Sequence, residues 1–407
     1  MRRLFPFISS IALLLIGGCA STAVPPPAPD AMLEMRLPDP VEIILPQRIG
    51  DLQAVADAMR EQTGTPGLAL AVVRNGGMVA RAVSGLANAE TGAPLVDTSR
   101  FHWGSVVKSV TGTVVGQLIA EGRLRADTTV VELLGELEMQ EGYRDVTIAQ
   151  LMRHEAGVPA YADFGPPELD RFTAYSGTAA QKRLAFVSDL LREVPVSEPG
   201  EKFQYSNAGI VLAAVMAEQA TGESWEDLVR AYVFTPAGMV DASFGLPSTP
   251  AKPEGTRGHL QFPGQPSELL PLGMFGEINP MLAPAGDLSS SIDDFARYAA
   301  FHLAGLRGEV AGVPAKAFEI VHTAAPDALP ISGGMARYSY GWEILQWPLL
   351  GGRRTHWHNG SNGAFYAEIR LVPELNTAVV IMANTGGPIA FSSEKSLARI
   401  FEYYAGI

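Results

Sequence analysis

Ser105-Val106-Val107-Lys108 opens an apolar run of the chain, and these four residues decide how the rest is interpreted. A serine and a lysine three residues apart in a helix share one face, about one turn from each other. That spacing places an amine beside a hydroxyl, which a serine nucleophile needs where no histidine supplies the base. The segment therefore predicts that Ser105 is a nucleophile and that Lys108 lies beside it.

A second match to the same pattern, Ser392-Ser393-Glu394-Lys395, lies near the C-terminus. The first match leads into a run that is apolar on more than one side and stops at Gly122. A helix of that kind is buried, and burial lowers the pKa of a lysine from its reference value of about 10.4. The second match opens an amphipathic, solvated stretch, so we expect no catalytic role for Ser392.

The composition is that of a globular enzyme and excludes some partners. The chain has 407 residues, enough for one large or two interleaved domains, with 47% hydrophobic and 18% charged residues. Its formal net charge is −13, and lysine and arginine form no dense cluster. We therefore expect no nucleic acid among its partners.

The N-terminus has the pattern of a targeting segment. Arg2-Arg3 precedes an apolar stretch from Leu4 to Ile16, which is too short to span a bilayer comfortably. The stretch ends in Leu15-Ile16-Gly17-Gly18-Cys19, which resembles a bacterial lipoprotein signal, with an ordinary secretory signal as the alternative. Cys19 is the only cysteine of the chain, and lipidation gives a use to a thiol that has no disulfide partner.

These features divide the chain into three parts. Residues 1–18 are the signal peptide, residues 19–48 are the lipidated cysteine with a Pro-rich tether, and residues 49–407 are the folded domain. We expect an exported lipoprotein of the bacterial cell envelope. Its lipid anchor would bind the membrane, and its folded domain would face the periplasm or the cell exterior.

Strand patterns occur at both ends of the folded part. Asn75-Gly76-Gly77 is a hairpin signal between two of them. The predicted strands are 68–74, 78–84, 340–347, 364–372 and 378–383, and helix patterns cover 51–62 and 393–404. The fold class is therefore α/β (α+β): an antiparallel sheet built from both chain ends, flanked by terminal helices. A mainly helical domain is inserted at about residues 105–330.

Two further motifs each occur once. Tyr205-Ser206-Asn207 stands just before an apolar helix pattern, and His358-Asn359-Gly360 stands just before a strand pattern. In this order the three motifs resemble the signatures of the serine β-lactamase-like and penicillin-binding-protein superfamily, whose fold is β-lactamase/transpeptidase-like. The likeness covers about residues 50–405 and points to the class C-like branch, which includes D-alanyl-D-alanine carboxypeptidases, D-aminopeptidases and carboxylesterases. The segments Leu151–Pro159, Phe234–Met239 and Pro284–Leu288 also resemble landmarks of the family.

The resemblance implies a serine hydrolase that forms an acyl-enzyme at Ser105 and needs no cofactor. Lys108 and Tyr205 would share the role of base, and the sequence leaves open which of them takes the proton. Asn207 would orient Lys108 or the substrate amide by hydrogen bonds. No His-Glu-x-x-His pattern or cysteine cluster indicates a metal site, and no Gly-x-Ser-x-Gly segment supports a Ser-His-Asp hydrolase.

The third motif contributes to the oxyanion site and to substrate binding. By resemblance, the backbone N–H groups of Ser105 and Ser361 would stabilise the oxyanion of a tetrahedral intermediate. Gly360, having no side chain, would let the substrate backbone approach closely.

His358 stands where typical class C β-lactamases have the lysine of Lys-Thr-Gly. A largely neutral histidine binds a substrate carboxylate less well than a lysine does. This difference favours a carboxylesterase or a D-amino-acid peptidase, with a small-molecule ester, an amide or a cell-wall peptide as substrate. The alternatives are a class C-like β-lactamase and a penicillin-binding module with little turnover.

Overall fold

The fold is built on one nine-stranded antiparallel sheet. A computed structural model describes residues 41–162, 172–261, 267–273, 279–387 and 389–407. In chain order the strands are β1 (Gly67–Arg74), β2 (Gly77–Asn88), β3 (Ala93–Pro94), β4 (Arg100–His102), β5 (Ser243–Phe244), β6 (His259–Leu260), β7 (Glu268–Leu269), β8 (Leu288–Ser291), β9 (Pro330–Ile331), β10 (Ala336–Ser339), β11 (Trp342–Trp347), β12 (Arg353–Ser361), β13 (Tyr366–Val372) and β14 (Thr377–Ala383). Across the large sheet their order is β3-β2-β1-β14-β13-β12-β11-β10-β9, so strands from the two ends of the chain meet in its middle.

The meeting point is the pair of β1 and β14, in which Leu68 lies opposite Ala383 and Arg74 opposite Thr377. Alternate residues of both strands face two different apolar cores. In β1, Leu68 belongs to one core and Ala69 to the other. Because both faces are covered, these strands are apolar at almost every position.

Helices cover both faces of the sheet. The main helices are α1 (Leu52–Thr63), α2 (Val107–Ala120), α3 (Val130–Leu134), α4 (Glu141–Arg144), α5 (Ile148–Met152), α6 (Ala179–Leu190), α7 (Asn207–Thr221), α8 (Trp225–Val229), α9 (Thr235–Ala237), α10 (Asn279–Gly286), α11 (Ile292–Leu306), α12 (Ala315–His322), α13 (Ile389–Ser392) and α14 (Glu394–Ala405). The terminal helices α1 and α14 pack on one face, and α11 packs on the other. The predicted fold class, an antiparallel sheet from both chain ends flanked by terminal helices, is confirmed.

The predicted hairpin is also present, with Asn75 at a φ of +51° and Gly76 at +87° between β1 and β2. The C-terminal strands differ from the prediction at several places. No strand was predicted where β12 lies, and β13 begins at Tyr366 instead of at residue 364. The pattern predicted a single strand at 340–347, whereas β11 begins at Trp342 and β10 precedes it. Tyr340 and Gly341 both have positive φ and form the turn between these two strands.

Residues 41–48 were predicted to be the end of the tether, outside the folded domain. In the structure they contact α1 and α13. The backbone N–H of Val41 donates to Ser392 Oγ at 2.9 Å, and Gln62 exchanges two hydrogen bonds with the backbone of Ile44. Leu45 is buried in the same core as α1 and α14. The signal peptide and Cys19 lie outside the described residues, among which no helix is long and apolar enough to cross a membrane.

Candidate active site

Ser105 lies in a 3₁₀ turn, Gly104–Val106, that leads directly into α2. The Lys108 Nζ atom is 3.0 Å from Ser105 Oγ and donates a hydrogen bond to the carbonyl of Ala285 at 2.7 Å. The Lys108 side chain is fully buried, and burial holds its pKa well below the usual range. In its unprotonated form this amine, with one N–H bound to a carbonyl, keeps a lone pair with which it can accept a proton.

Tyr205 also contacts Lys108, whose Nζ atom is 4.8 Å from the centre of the phenol ring. Burial raises the pKa of Tyr205, and nearby Ser105 lowers it by less. The Tyr205 hydroxyl is buried and, among the described residues, makes no hydrogen bond, so Ser105 lies close by without bonding geometry. The three predicted members of the nucleophile group are therefore brought together in space.

The turn that carries Ser105 packs closely against the end of β12, because each of these two segments has a glycine at the contact. Gly104 has a φ of +52°, and a Cβ atom on it would lie 2.6 Å from the backbone N of Ser361. A Cβ atom on Gly360 would lie 2.3 Å from the backbone N of Ser105. The backbone N–H groups of Ser105 and Ser361 thus flank one seam between the turn and the strand.

This contact corrects the reason given for Gly360. Gly360 has no side chain, and the substrate backbone was predicted to approach it in the space that this leaves. In the structure that space holds the protein itself, since a Cβ atom would also lie 2.2 Å from the carbonyl oxygen of Trp103. The glycine is needed so that the strand can approach the nucleophile turn.

Asn207 was predicted to orient Lys108 or the substrate amide; its hydrogen bonds in the structure do not go to Lys108, and its role toward a substrate amide stays a prediction. Its Nδ2 atom donates to the carbonyl of Tyr161 at 2.8 Å, and its backbone N–H donates to Ala160. The Lys108 amine is oriented by Ala285 instead. Asn207 is the first residue of α7 and Ser206 is the N-cap, so the side chain of Asn207 joins the start of this helix to the segment that follows α5.

His358 is buried beside Lys108, and both of its ring nitrogens are occupied. Nδ1 faces the carbonyl of Asn359, which can only accept, so Nδ1 carries the proton and Nε2 accepts from the Tyr338 hydroxyl at 2.9 Å. Burial first, and then the charge of Lys108, lower the pKa of His358 to about 3. A neutral imidazole with no free N–H offers no positive charge to a ligand.

Two residues that the sequence analysis left out of the site complete its buried wall. The ring of His154 lies 4.4 Å from the ring of Tyr205 and 4.6 Å from that of Tyr338, measured between centres. Burial raises the pKa of Glu343 to about 7, and the charge of Glu343 raises the pKa of both tyrosines. Apart from the His154 landmark segment, no local pattern marks these positions.

His102 and Asp287 form a hydrogen-bonded pair that supports the turn carrying Ser105. The backbone N–H of Gly104 donates to Nδ1 of His102 at 3.3 Å, so Nε2 of His102 carries the proton and faces Asp287 Oδ1 at 3.1 Å. Asp287 follows α10 and lies two residues after Ala285. The pair thus joins the turn that carries Ser105 to the segment that binds Lys108. In the part of the chain that the structure describes, no group of three or more His, Cys, Asp or Glu side chains is placed to hold a metal ion.

The chain is similar to known hydrolases and penicillin-binding proteins. Penicillin-binding protein 4 of Amycolatopsis lactamdurans is 27% identical over 352 residues, which cover 83% of this chain and 86% of that protein. Esterase EstB of Burkholderia gladioli is 33% identical over 201 residues, which cover 47% of this chain and 50% of the esterase.

The fold has solved counterparts. The structure of an octameric penicillin-binding protein homologue from Pyrococcus abyssi superposes with a TM-score of 0.69, covering 88% of this chain and 78% of that chain at 23% identity. At this identity the likeness shows the fold alone. The sequence profile of the beta-lactamase family matches residues 52–401, which span α1 to α14 and include Ser105, Tyr205 and His358. With most of its length matched, this chain belongs to the beta-lactamase family.

Proposed function

We propose that this chain is a serine hydrolase that forms an acyl-enzyme at Ser105 and cleaves an ester or an amide, as a carboxylesterase or a D-amino-acid peptidase does. The observation that carries the proposal is the fully buried Lys108 amine, 3.0 Å from the Ser105 hydroxyl. An amine whose pKa is lowered by burial can accept the proton of a hydroxyl that attacks a carbonyl.

The reaction has two halves. In the first, Ser105 Oγ bonds to the substrate carbonyl carbon while its proton passes to the Lys108 amine, either directly or through the Tyr205 hydroxyl, which gives its own proton to Lys108 as it takes that of Ser105. The bond to the alcohol or amine then breaks, and the leaving group takes this proton. In the second, water attacks the acyl-enzyme, and the acid leaves as Ser105 regains its proton. Oxyanions form in both halves, and the backbone N–H groups of Ser105 and Ser361 flank the seam where we place them.

His358 supports an ester or amide substrate over a β-lactam. Both of its ring nitrogens are bonded within the protein and its pKa is low, so it does not supply the cation that a substrate carboxylate would bind. The likeness to esterase EstB agrees with this assignment. A class C-like β-lactamase remains the alternative that the family name itself suggests.

A penicillin-binding module with little turnover is a second candidate. The likeness to penicillin-binding protein 4 over most of both chains favours it. The two candidates differ in the second half of the reaction, because a module of this kind forms the acyl-enzyme and hydrolyses it slowly. Turnover of a chromogenic ester, a cephalosporin and a D-alanyl-D-alanine peptide, compared on one preparation, separates the three possibilities.

The decisive experiment is covalent trapping. Mixing the protein with a chromogenic ester and quenching within milliseconds should give one adduct per chain, and peptide mass spectrometry should place it on Ser105. The Ser105→Ala variant should show neither the adduct nor turnover. An adduct on another serine, or full turnover by the alanine variant, would reject the proposed function.

Cys19 is the proposed site of lipidation, which would anchor this exported protein to a membrane of the bacterial cell envelope. The support is the sequence pattern around Cys19. Residues 41–48, the end of the predicted tether, contact α1 and α13 and contribute to an apolar core shared with α14, whereas the segment around Ser105 packs in the other core. Metabolic labelling with an alkyne fatty acid should mark the parent and not the Cys19→Ser variant; equal labelling would rule out the anchor.

A further inference from the structure

We propose that His154 is a positioning residue that fixes Tyr205 for proton transfer, a role that rests on the function proposed above. His154 holds the backbone on both sides of Tyr205 and also covers one face of its ring. The inference depends on three independent contacts of one side chain and its backbone.

The backbone contacts bracket Tyr205 from both sides. The N–H of Gln204 donates to the carbonyl of His154 at 2.7 Å, and the N–H of Ser206 donates to Nδ1 of the His154 ring at 3.1 Å. The residues immediately before and after Tyr205 are therefore bound to the same histidine. Since α7 begins at Asn207, these two bonds define how the chain enters that helix.

The His154 ring also packs against the ring of Tyr205. The His154 ring lies 4.4 Å from the Tyr205 ring, and Tyr338 lies on the histidine at 4.6 Å, between centres. The phenol ring thus contacts both His154 and the Lys108 amine, which is 4.8 Å from the ring centre. A shift of the histidine would move the Tyr205 hydroxyl relative to Ser105.

The backbone conformation of His154 indicates that this side chain is needed. Its φ is +59°, in the left-handed region that favours glycine and, among other residues, asparagine, aspartate and histidine. The residue lies just after α5, a place where glycine often ends a helix. A glycine would adopt this conformation more readily but would have no acceptor for the N–H of Ser206.

The protonation state is set by the same contacts. Because Nδ1 accepts from a backbone N–H, the proton of the neutral ring is on Nε2, which is buried and has no hydrogen-bond partner among the described residues. Burial first, and then the repulsion that Lys108 and His358 would exert in their protonated forms, hold the pKa of His154 well below its usual value. The ring therefore stays neutral and keeps its acceptor.

The test is a pair of substitutions at His154. His154→Gly relieves the backbone but removes the acceptor and the ring, and we expect kcat for a chromogenic ester to fall about 100-fold with KM little changed. His154→Asn keeps an acceptor the same number of bonds from the backbone and tolerates the left-handed conformation, so kcat should recover to within about tenfold of the parent. Equal kcat values for the two variants would overturn the proposal.

A double substitution separates positioning from loss of structure. In the Tyr205→Phe background the ring remains but the hydroxyl is gone, so adding His154→Gly should lower kcat by less than about threefold. A further 100-fold loss in that background would show that His154 acts independently of Tyr205. His302→Asn is the matched control, because His302 is equally buried but packs against Tyr298 and Trp342, and we expect it to lower stability with kcat within about threefold of the parent.

The outcomes also separate this inference from the proposed function. If Tyr205→Phe alone kept full activity, the role of Tyr205 in the proposed function would fail. If Tyr205→Phe lost activity while His154→Gly kept it, only the positioning role would fail. Should the glycine variant not fold, as judged by near-ultraviolet circular dichroism, His154→Leu replaces it, because leucine fills much of the buried volume but has no acceptor, and a kcat equal to that of the parent would again reject the inference.

Discussion

The chain contains the pattern Ser-x-x-Lys twice, and the structure places the two copies in opposite environments. At the first, Lys108 is fully buried and lies 3.0 Å from Ser105. At the second, the Lys395 side chain is 73% exposed and pairs with Glu42 at 3.1 Å, while Ser392 Oγ accepts from the backbone N–H of Val41. The same two residue types thus form a candidate nucleophile at one place and a surface ion pair with a structural hydroxyl at the other.

The difference lies in the backbone as much as in burial. Ser105 lies in a 3₁₀ turn that continues directly into α2, so the serine and the lysine belong to one continuous helical segment. Ser392 is the last residue of α13, and Lys395 belongs to α14, so the second pair has no common helix. The expectation that Ser392 is solvated was wrong, since it is only 7% exposed. Pattern spacing alone therefore does not create a reactive serine.

Replacing the two serines gives the largest expected contrast. Ser105→Ala removes the nucleophile, and kcat for an active ester should fall at least about 10⁴-fold. Ser392→Ala should leave kcat unchanged, because among the described residues its hydroxyl bonds to Val41, far from Ser105 in the fold. Steady-state kinetics on both purified variants measure the contrast, and comparable losses at the two positions would remove the distinction drawn here.

The two lysines should differ by a smaller factor. Lys108→Met keeps the length and apolar stem of the side chain but removes the amine, so kcat should fall on the order of 10³-fold, a typical loss for general base catalysis. Lys395→Met removes an exposed ion pair, whose loss changes stability by less than about 1 kcal/mol. Activity and thermal unfolding of both variants test this, with the exposed lysine as the matched control.

The pH dependence sharpens the same contrast between buried and exposed amines. An amine accepts a proton only when it is unprotonated, and burial holds the pKa of Lys108 well below its usual value. Activity should therefore be retained at pH values well below 10 and should fall about tenfold per pH unit once the pH is below the lowered pKa. A kcat/KM profile measures the acid limb. A limb centred near 10.5 would mean that Lys108 titrates as an ordinary exposed lysine.

The smallest expected effect concerns the structural role of Ser392. Losing the acceptor for the Val41 N–H should lower the free energy of unfolding by about 1 kcal/mol, a typical value for one hydrogen bond. Denaturant unfolding of the Ser392→Ala variant gives this value. Limited proteolysis should also cut the segment around Val41 faster in the variant, and equal cutting rates would contradict the contact.

Much of the sheet was predictable because its signals are local. Asn75-Gly76-Gly77 marks the first hairpin, and the apolar runs of β1 and β14 identify strands without reference to their partners. The turn at Tyr340 and Gly341 was not predictable, since a tyrosine at positive φ carries no local signal. The predicted strand therefore included these two turn residues together with β11, and β10 was not predicted.

The site divides in the same way. Ser105, Lys108 and Tyr205 were found because short motifs carry them. Ala285 contributes only a backbone carbonyl to Lys108, which any residue type could supply. Tyr338 of β10 bonds to His358 of β12 across the strand between them, β11, so the spacing along the chain does not predict the contact. Such partners follow from tertiary packing and are visible only in the structure.

The pairing of β1 with β14 has a consequence for how the protein is made. These neighbours in the middle of the sheet are roughly 300 residues apart in the chain. Synthesis must therefore reach the end of β14 before β1 can pair with it. Until then, the hairpin of β1 and β2 has one edge without a hydrogen-bonded neighbour. A premature stop codon that removed only the last thirty residues would delete an interior strand, so even a late truncation should leave a chain that cannot fold.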